Sequence, residues 1–253
     1  MAKIAYLHKA DKLINRIQET QQDAIVEASR LMANSIASGK VVHLFGSGHS
    51  VIPVMDIFPR YGSYVGFNPL MDPRLMWSSV VGPGGARELL WLEREEGYIR
   101  NFLQSFVFDP EDTMVVFSHG GLNAAPIEVA LFAKEQGMRI IAITSRANYR
   151  IASATHSSGK KLGDLADVLI DNCVPLEDAM VSIDGLDEPV GAGSTLAVVA
   201  ISMSLVSETA RLLVADGKSL SVFVSPNVEG IGPDHNASVF EEFEAKICRI
   251  KSE

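Results

Sequence analysis

Three short polar runs in this chain place hydroxyls and glycines where an anion could be held. The first is Gly46-Ser47-Gly48-His49-Ser50, directly after the apolar residues 41–45. Glycine admits tight or positive-φ backbone, so that N–H groups can turn toward a single point. Ser47 and Ser50 add hydroxyls and His49 a ring donor, and a helix starting here would aim its positive end at the same place. Ser118-His119-Gly120-Gly121-Leu122-Asn123 repeats the plan after residues 114–117, and Thr144-Ser145 close the apolar residues 139–143. Three hydroxyl-rich, acid-free segment ends fit an oxyanion such as phosphate better than they fit turns alone. A dinucleotide fingerprint would need glycine where Val51 stands, and no Gly-Lys-Ser/Thr follows to make a nucleotide P-loop.

Proton chemistry needs other residues. Leu92-Glu93-Arg94-Glu95-Glu96-Gly97 gathers three carboxylates, and moving a proton beside a carbonyl calls for a base poised near neutral pH. Glu96 is the first candidate and Glu93 the second. The competing reading is an exposed charged face whose acids pair with Arg94 and Arg100. His49 and His119, inside the polar runs, can donate to a ligand or act as acids, and His235 in the polar tail is a further candidate. His43 reads as a satisfied core residue, while His8 and His156 read as surface or loop residues. No pair has i, i+4 or facial-triad spacing, which argues against a metal site, and no cofactor is expected.

The elements that must position these residues follow from periodicity. Residues 41–45, 114–117, 139–143 and 168–170 are short apolar runs stopped by Gly, Ser, Thr or Asp, the pattern of buried strands. Residues 124–136 are helical in pattern with Gly137 as cap, residues 84–106 hold another helix, and residues 195–214 form a largely buried one started by Gly193-Ser194. Strand, polar loop, helix, strand is the βαβ signature. It predicts an α/β fold, a central mostly parallel sheet with helices on both faces. Residues 4–38 predict one or two amphipathic helices closed by Gly39, packing on the sheet or on another subunit. Residues 68–85 and 225–236, rich in Pro and Gly, predict irregular loops. The expected organisation is one domain: an N-terminal helical extension over 1–38, a core over 39–215 and a tail over 216–253.

Composition bounds the partners. The net charge of −9 argues against nucleic acid or an anionic membrane. Cys173 and Cys248 have no metal-like spacing, and so few cysteines fit a reducing, cytoplasmic interior. The first six residues lack the apolar core of a signal peptide. The most apolar stretch, residues 195–206, falls short of the ~20 residues needed to cross a bilayer.

Taken together, residues 31–213 resemble the sugar isomerase (SIS) domain family. The resemblance rests on the two glycine–serine runs, on Gly137-Met138-Arg139-Ile140-Ile141-Ala142-Ile143-Thr144-Ser145, on His156-Ser157-Ser158-Gly159-Lys160-Lys161-Leu162, and on Leu165-Ala166-Asp167. The nearest likeness is to a single-domain branch beside phosphoheptose isomerase, through Glu177-Asp178-Ala179 and Gly193-Ser194-Thr195. It implies a flavodoxin-like three-layer sandwich and a phosphosugar ligand held by Ser47, Gly48, His49, Ser50, Ser118, Gly120, Gly121, Asn123, Thr144, Ser145, Ser194 and Thr195. It also implies a homodimer or homotetramer, and Glu96, Glu93 or His119 in catalysis. One departure stands out. Where phosphoheptose isomerase carries Ile-Gln-Glu and then His in its last long helix, this chain reads Thr195-Leu196-Ala197-Val198-Val199-Ala200, and Glu208 comes three turns later. Two functions are therefore expected to compete: a sugar-phosphate isomerase or related lyase, and a phosphosugar sensor without turnover.

Overall fold

The computed structural model describes residues 4–76, 85–176, 178–232 and 234–251, with side chains as far as residue 246. Gly84, the rest of the expected loop over 77–84, Glu177, Pro233 and the Cys248 side chain lie outside the described residues. In chain order the elements are α1 (Ala5–Ala37), β1 (Val42–Gly46), α2 (Val51–Ile57), β2 (Phe67–Leu70), α3 (Gly85–Leu92), α4 (Tyr98–Leu103), β3 (Thr113–Phe117), α5 (Ala124–Glu135) and β4 (Arg139–Thr144). There follow α6 (Arg146–Ile151), α7 (Leu162–Leu165), β5 (Val168–Asp171), β6 (Ala179–Val181), β7 (Val190–Ala192), α8 (Ser194–Ala215) and α9 (His235–Lys251).

Five strands form one parallel sheet in the order β2-β1-β3-β4-β5. Strands β1 and β3 are buried along their whole length, as expected of a sheet covered on both faces. One face carries α1, α2, α8 and α9 over a core that includes Leu44, Val115, Ile141 and Ile170. The other carries α3, α4, α5 and α7 over Phe45, Val116, Ile140 and Ala142. This is the three-layer α/β sandwich that the sequence predicts. His43, fully buried in β1, accepts from Asn68 Nδ2 at its Nδ1 and faces Asp112 Oδ2 through Nε2 at 3.0 Å. It is the satisfied core residue expected.

The N-terminal segment is a single helix of 33 residues. Leu13, Ile17, Gln21, Ile25, Ala28 and Met32, three or four residues apart, point inward, and the helix packs on α8 and β5 of its own chain. The buried polar residue in this stripe, Gln21, accepts a hydrogen bond from Asp171 N at 2.9 Å, so its burial is compensated. By length and apolar content α8 could cross a membrane. Here Ala197, Val198, Ile201, Leu205 and Leu213 are buried within the core.

Two expectations need correction. Residues 84–106 are not one helix but two, because Gly97 adopts φ +90 and turns the chain between α3 and α4. Residues 68–85 include the end of β2, an edge strand whose Pro69 removes a donor that an edge can spare. Residues 225–232 are irregular as expected, and α9 begins at His235; beside them Phe223 is buried in the first core, Phe243 packs against it, and the exposed Phe240 meets the Phe223 ring edge-on.

Glycine shapes the loop after β1. A Cβ on Gly46 would lie 2.0 Å from Ser50 O, because the chain folds straight back over that residue. Nothing lies within 4 Å of a Cβ on Gly120. Gly46→Ala should therefore destabilise the protein by about 1–3 kcal/mol, as overpacking does, whereas Gly120→Ala should change stability little. Urea denaturation of the two variants checks this.

Candidate functional site at the switch point of the sheet

Register brings the polar runs to one edge. Gly46 pairs with Phe117, Phe117 with Ile143, and Thr144 with Asp171. Ser47, Ser118, Ser145 and Asn172 thus leave the sheet side by side. Strand order reverses between β1 and β3. The chain leaves β1 toward α2 on one face and leaves β3 toward α5 on the other, which opens a crevice at the carboxyl ends where α/β sheets bind ligands.

The first loop runs through a short 3₁₀ turn at Gly48–Ser50, with Gly48 at φ +58. The second ends at Asn123, which precedes the 12-residue α5. Neither Ser50 nor Asn123 caps the helix that it starts, so neither side chain is taken up there. Ser118 Oγ accepts from Gly121 N at 3.1 Å, which turns the loop and leaves the Ser118 proton for another acceptor. Open space lies over Gly120, so a ligand can approach its backbone closely. His49 is exposed beside these donors.

Glu93 ties the two loops together. Its carbonyl accepts from Ala125 N in the first turn of α5 at 2.9 Å. Its carboxylate Oε2 accepts from Ser47 Oγ at 2.8 Å. Only 7% of Glu93 is exposed. Burial raises its pKa above the ordinary carboxylate value, with the Ser47 hydroxyl and the nearby Arg94 opposing in part. Glu96 behaves differently. It is exposed, and it accepts from Ser157 N at 2.7 Å and from the Ser157 hydroxyl; that hydroxyl first, then the N–H, hold its pKa low. Arg100 pairs with Glu135 rather than with the cluster. The exposed charged-face reading therefore describes Glu96 better than Glu93.

Several expected ligand groups are occupied from within. Thr144 Oγ1 donates to His119 O at 3.0 Å, and the fully buried Ser145 donates to Val174 O at 2.9 Å. Both hold neighbouring loops together. Asn172 Oδ1 accepts from Val174 N, which turns its amide toward His119 Nδ1 at 3.0 Å, and Asn148 faces Nε2 at 3.2 Å. His119 thus clamps the second loop, with both ring nitrogens engaged. At the start of α8, Asp178 accepts from Gly193 N, Ser194 N and Ser194 Oγ. An internal carboxylate occupies that helix end. Thr195 is half-buried one residue further on. His235 donates through Nε2 to Val222 O at 2.8 Å and so anchors the tail.

Comparison with known proteins agrees with this geometry. The SIS domain profile matches residues 5–145. The chain belongs to the SIS domain family. It is 32% identical over 251 residues to a UPF0309 protein of Thermoanaerobacter pseudethanolicus, covering 98% of this chain and 99% of the relative. It is 34% identical over 242 residues to a UPF0309 protein of Oceanobacillus iheyensis, covering 96% of each. Among solved structures it superposes on phosphoheptose isomerase of Neisseria gonorrhoeae with a TM-score of 0.53 at 15% identity, over 82% of this chain and 96% of that one. The Francisella tularensis phosphoheptose isomerase gives 0.52 at 13%, over 81% and 95%. At such identity these two likenesses concern the fold alone.

Sequence reasoning gave no site role to several residues that shape these loops. Asn148 lies in α6 and Asn172 and Asp178 lie in loops, and their partners are 15 to 53 residues away. His156, expected at the surface or in a loop, keeps only 6% of its side chain exposed. No periodic signal marks any of them.

The raised Glu93 pKa has a stability consequence. Below the ordinary carboxylate range both folded and unfolded states hold the proton, and its contribution is fully present. As pH rises through the folded-state pKa the contribution is lost, because the unfolded chain ionises more easily. Glu93→Gln, which keeps an acceptor for Ser47, should therefore melt higher than the native protein at about pH 8, with the advantage vanishing near about pH 4. Calorimetric scans across that range read the effect.

Proposed function

We propose that this SIS domain binds a sugar phosphate and moves a proton beside its carbonyl, as an aldose–ketose isomerase does. The phosphate rests on the loops Gly46–Ser50 and Ser118–Asn123, where amide hydrogens, the Ser118 and Ser50 hydroxyls and the Asn123 carboxamide surround it without a cation in either loop. Glu93 is the proton carrier. It takes the proton from the carbon beside the carbonyl, leaving an enediolate, and returns it to the neighbouring carbon. The single observation behind this assignment is a carboxylate that is buried, raised in pKa and joined to Ser47 at the phosphate loop. A base needs such placement to share a proton near neutral pH. Ser47 then has a positioning role, since its one proton is directed at Glu93 while that group is ionised.

A second reading, a phosphosugar sensor, is favoured by one observation. Neither acid nor base occurs in the first two turns of α8, from Ser194 to Ile201. Proton NMR in deuterated water distinguishes the two. An isomerase incorporates deuterium beside the carbonyl of its sugar phosphate, and Glu93→Gln should slow this by about 10²–10⁴-fold while binding persists. Binding without incorporation in the native protein would establish the sensor. Ser118→Ala should weaken phosphate binding by about 1.5–3 kcal/mol, the loss of a hydrogen bond to a charged group. Isothermal titration with the same sugar phosphate measures it, and unchanged affinity would remove the second loop from the site.

A further inference from the structure

The segment after α6 folds over the α3–α4 turn and buries His156 against two carboxylates. Its Nε2 is buried and has no hydrogen-bond partner. That nitrogen lies 3.7 Å from Glu96 Oε2 and 3.9 Å from Glu128 Oε1, both beyond hydrogen-bond reach. Its other nitrogen determines the tautomer. Ser158 N donates to Nδ1 at 3.1 Å, and the Ser158 hydroxyl, itself accepting from Lys160 N, lies 2.8 Å from Nδ1. Nδ1 is therefore an acceptor, and the neutral ring carries its proton on Nε2. A buried N–H with nothing to bond is uncommon and calls for an explanation.

The surroundings supply one. His156 lines a cleft of about 150 Å³ together with Arg94, Glu96, Asn123, Ala124 and Thr155. The cleft shares Asn123 with the second phosphate loop, and Arg94 is the neighbour of Glu93. Thr155 Oγ1 donates to Leu122 O at 2.6 Å, so the cleft wall and that loop are joined. Glu128 is held in place by the N–H groups of Gly97 and Ile99, and Glu96 by Ser157. One N–H donor facing two fixed acceptors matches a hydroxyl, which accepts with a lone pair and donates its proton. An ammonium has no lone pair for Nε2–H. A second phosphate would face a net negative charge, since Glu96 and the nearby Glu128 outnumber the one guanidinium, Arg94, on the cleft wall.

We propose that this cleft receives a hydroxyl of the substrate at the end remote from its phosphate, with His156 as donor and Glu96 as acceptor. The substrate is then a monophosphate with a free hydroxyl at that position, not an amine or a bisphosphate. This rests on the reading of the two glycine–serine loops as the phosphate cradle.

Isothermal titration of the full chain with inorganic phosphate, fructose 6-phosphate, its 1-deoxy analogue and fructose 1,6-bisphosphate tests it. The native protein should prefer the hydroxyl compound over the deoxy one by about tenfold or more, as sites built to bond a hydroxyl do, and should bind the bisphosphate no better than inorganic phosphate. His156→Leu should erase the preference and leave inorganic phosphate affinity unchanged. A native protein without the preference, or a preference that survives His156→Leu, overturns the assignment while the phosphate reading stands. Failure of every phosphate compound to bind the native protein would overturn the phosphate reading and this inference with it. Should His156→Leu lose phosphate binding too, His156→Gln, which keeps an N–H donor, decides: the preference should persist in it, and its loss counts against the donor role.

Discussion

The arrangement depends on one constraint, the reversal of strand order between β1 and β3. Parallel strands must be joined by crossovers of fixed hand, so α2 and α5 leave the sheet on opposite faces. The loops that begin them cannot pack against each other, and a crevice remains between them. Everything placed there acquires a role: glycine backbone that a ligand can approach, hydroxyls that no helix end consumes, and Glu93, whose carboxylate holds the first loop and whose backbone carbonyl holds the start of α5. The opposite polarity of water and core does the rest. The crevice keeps Glu93 dry enough to hold its proton more tightly.

Glu93 and Glu96 show how three residues of spacing separate two chemistries. Glu93 closes α3 and faces inward, where the missing water disfavours its charge. Glu96 follows on the exposed turn before Gly97, where Ser157 stabilises its charge and orients it. One suits proton transfer. The other suits a fixed acceptor, and His156 gives it something to share.

Much of the architecture was legible in the chain itself. Four strands announced themselves because strands buried on both faces are continuous apolar runs, α5 because its polar start and glycine stop are local signals, and α8 because of its Gly193-Ser194 start and long apolar run. The strand β2 was not legible, since Asn68 and Pro69 are poor strand residues that an edge position tolerates. Nor was the break at Gly97, since the carboxylates before it continue a helical pattern without interruption. The short hairpin of β6 and β7 has too few residues to show alternation.

The sequence alone determined which loops could hold an anion, because glycine and serine after an apolar strand act through their own backbone and side-chain chemistry. Only the tertiary structure decided which polar groups remain for a ligand. Thr144, Ser145, His119 and Ser194 carry suitable donors, yet each is engaged by a partner that folding brings from far along the chain. Folding likewise buried Glu93 while leaving Glu96 exposed, and it buried His156 between two carboxylates. Hydrogen-bond capacity is a property of a residue, but its availability belongs to the neighbours that surround it.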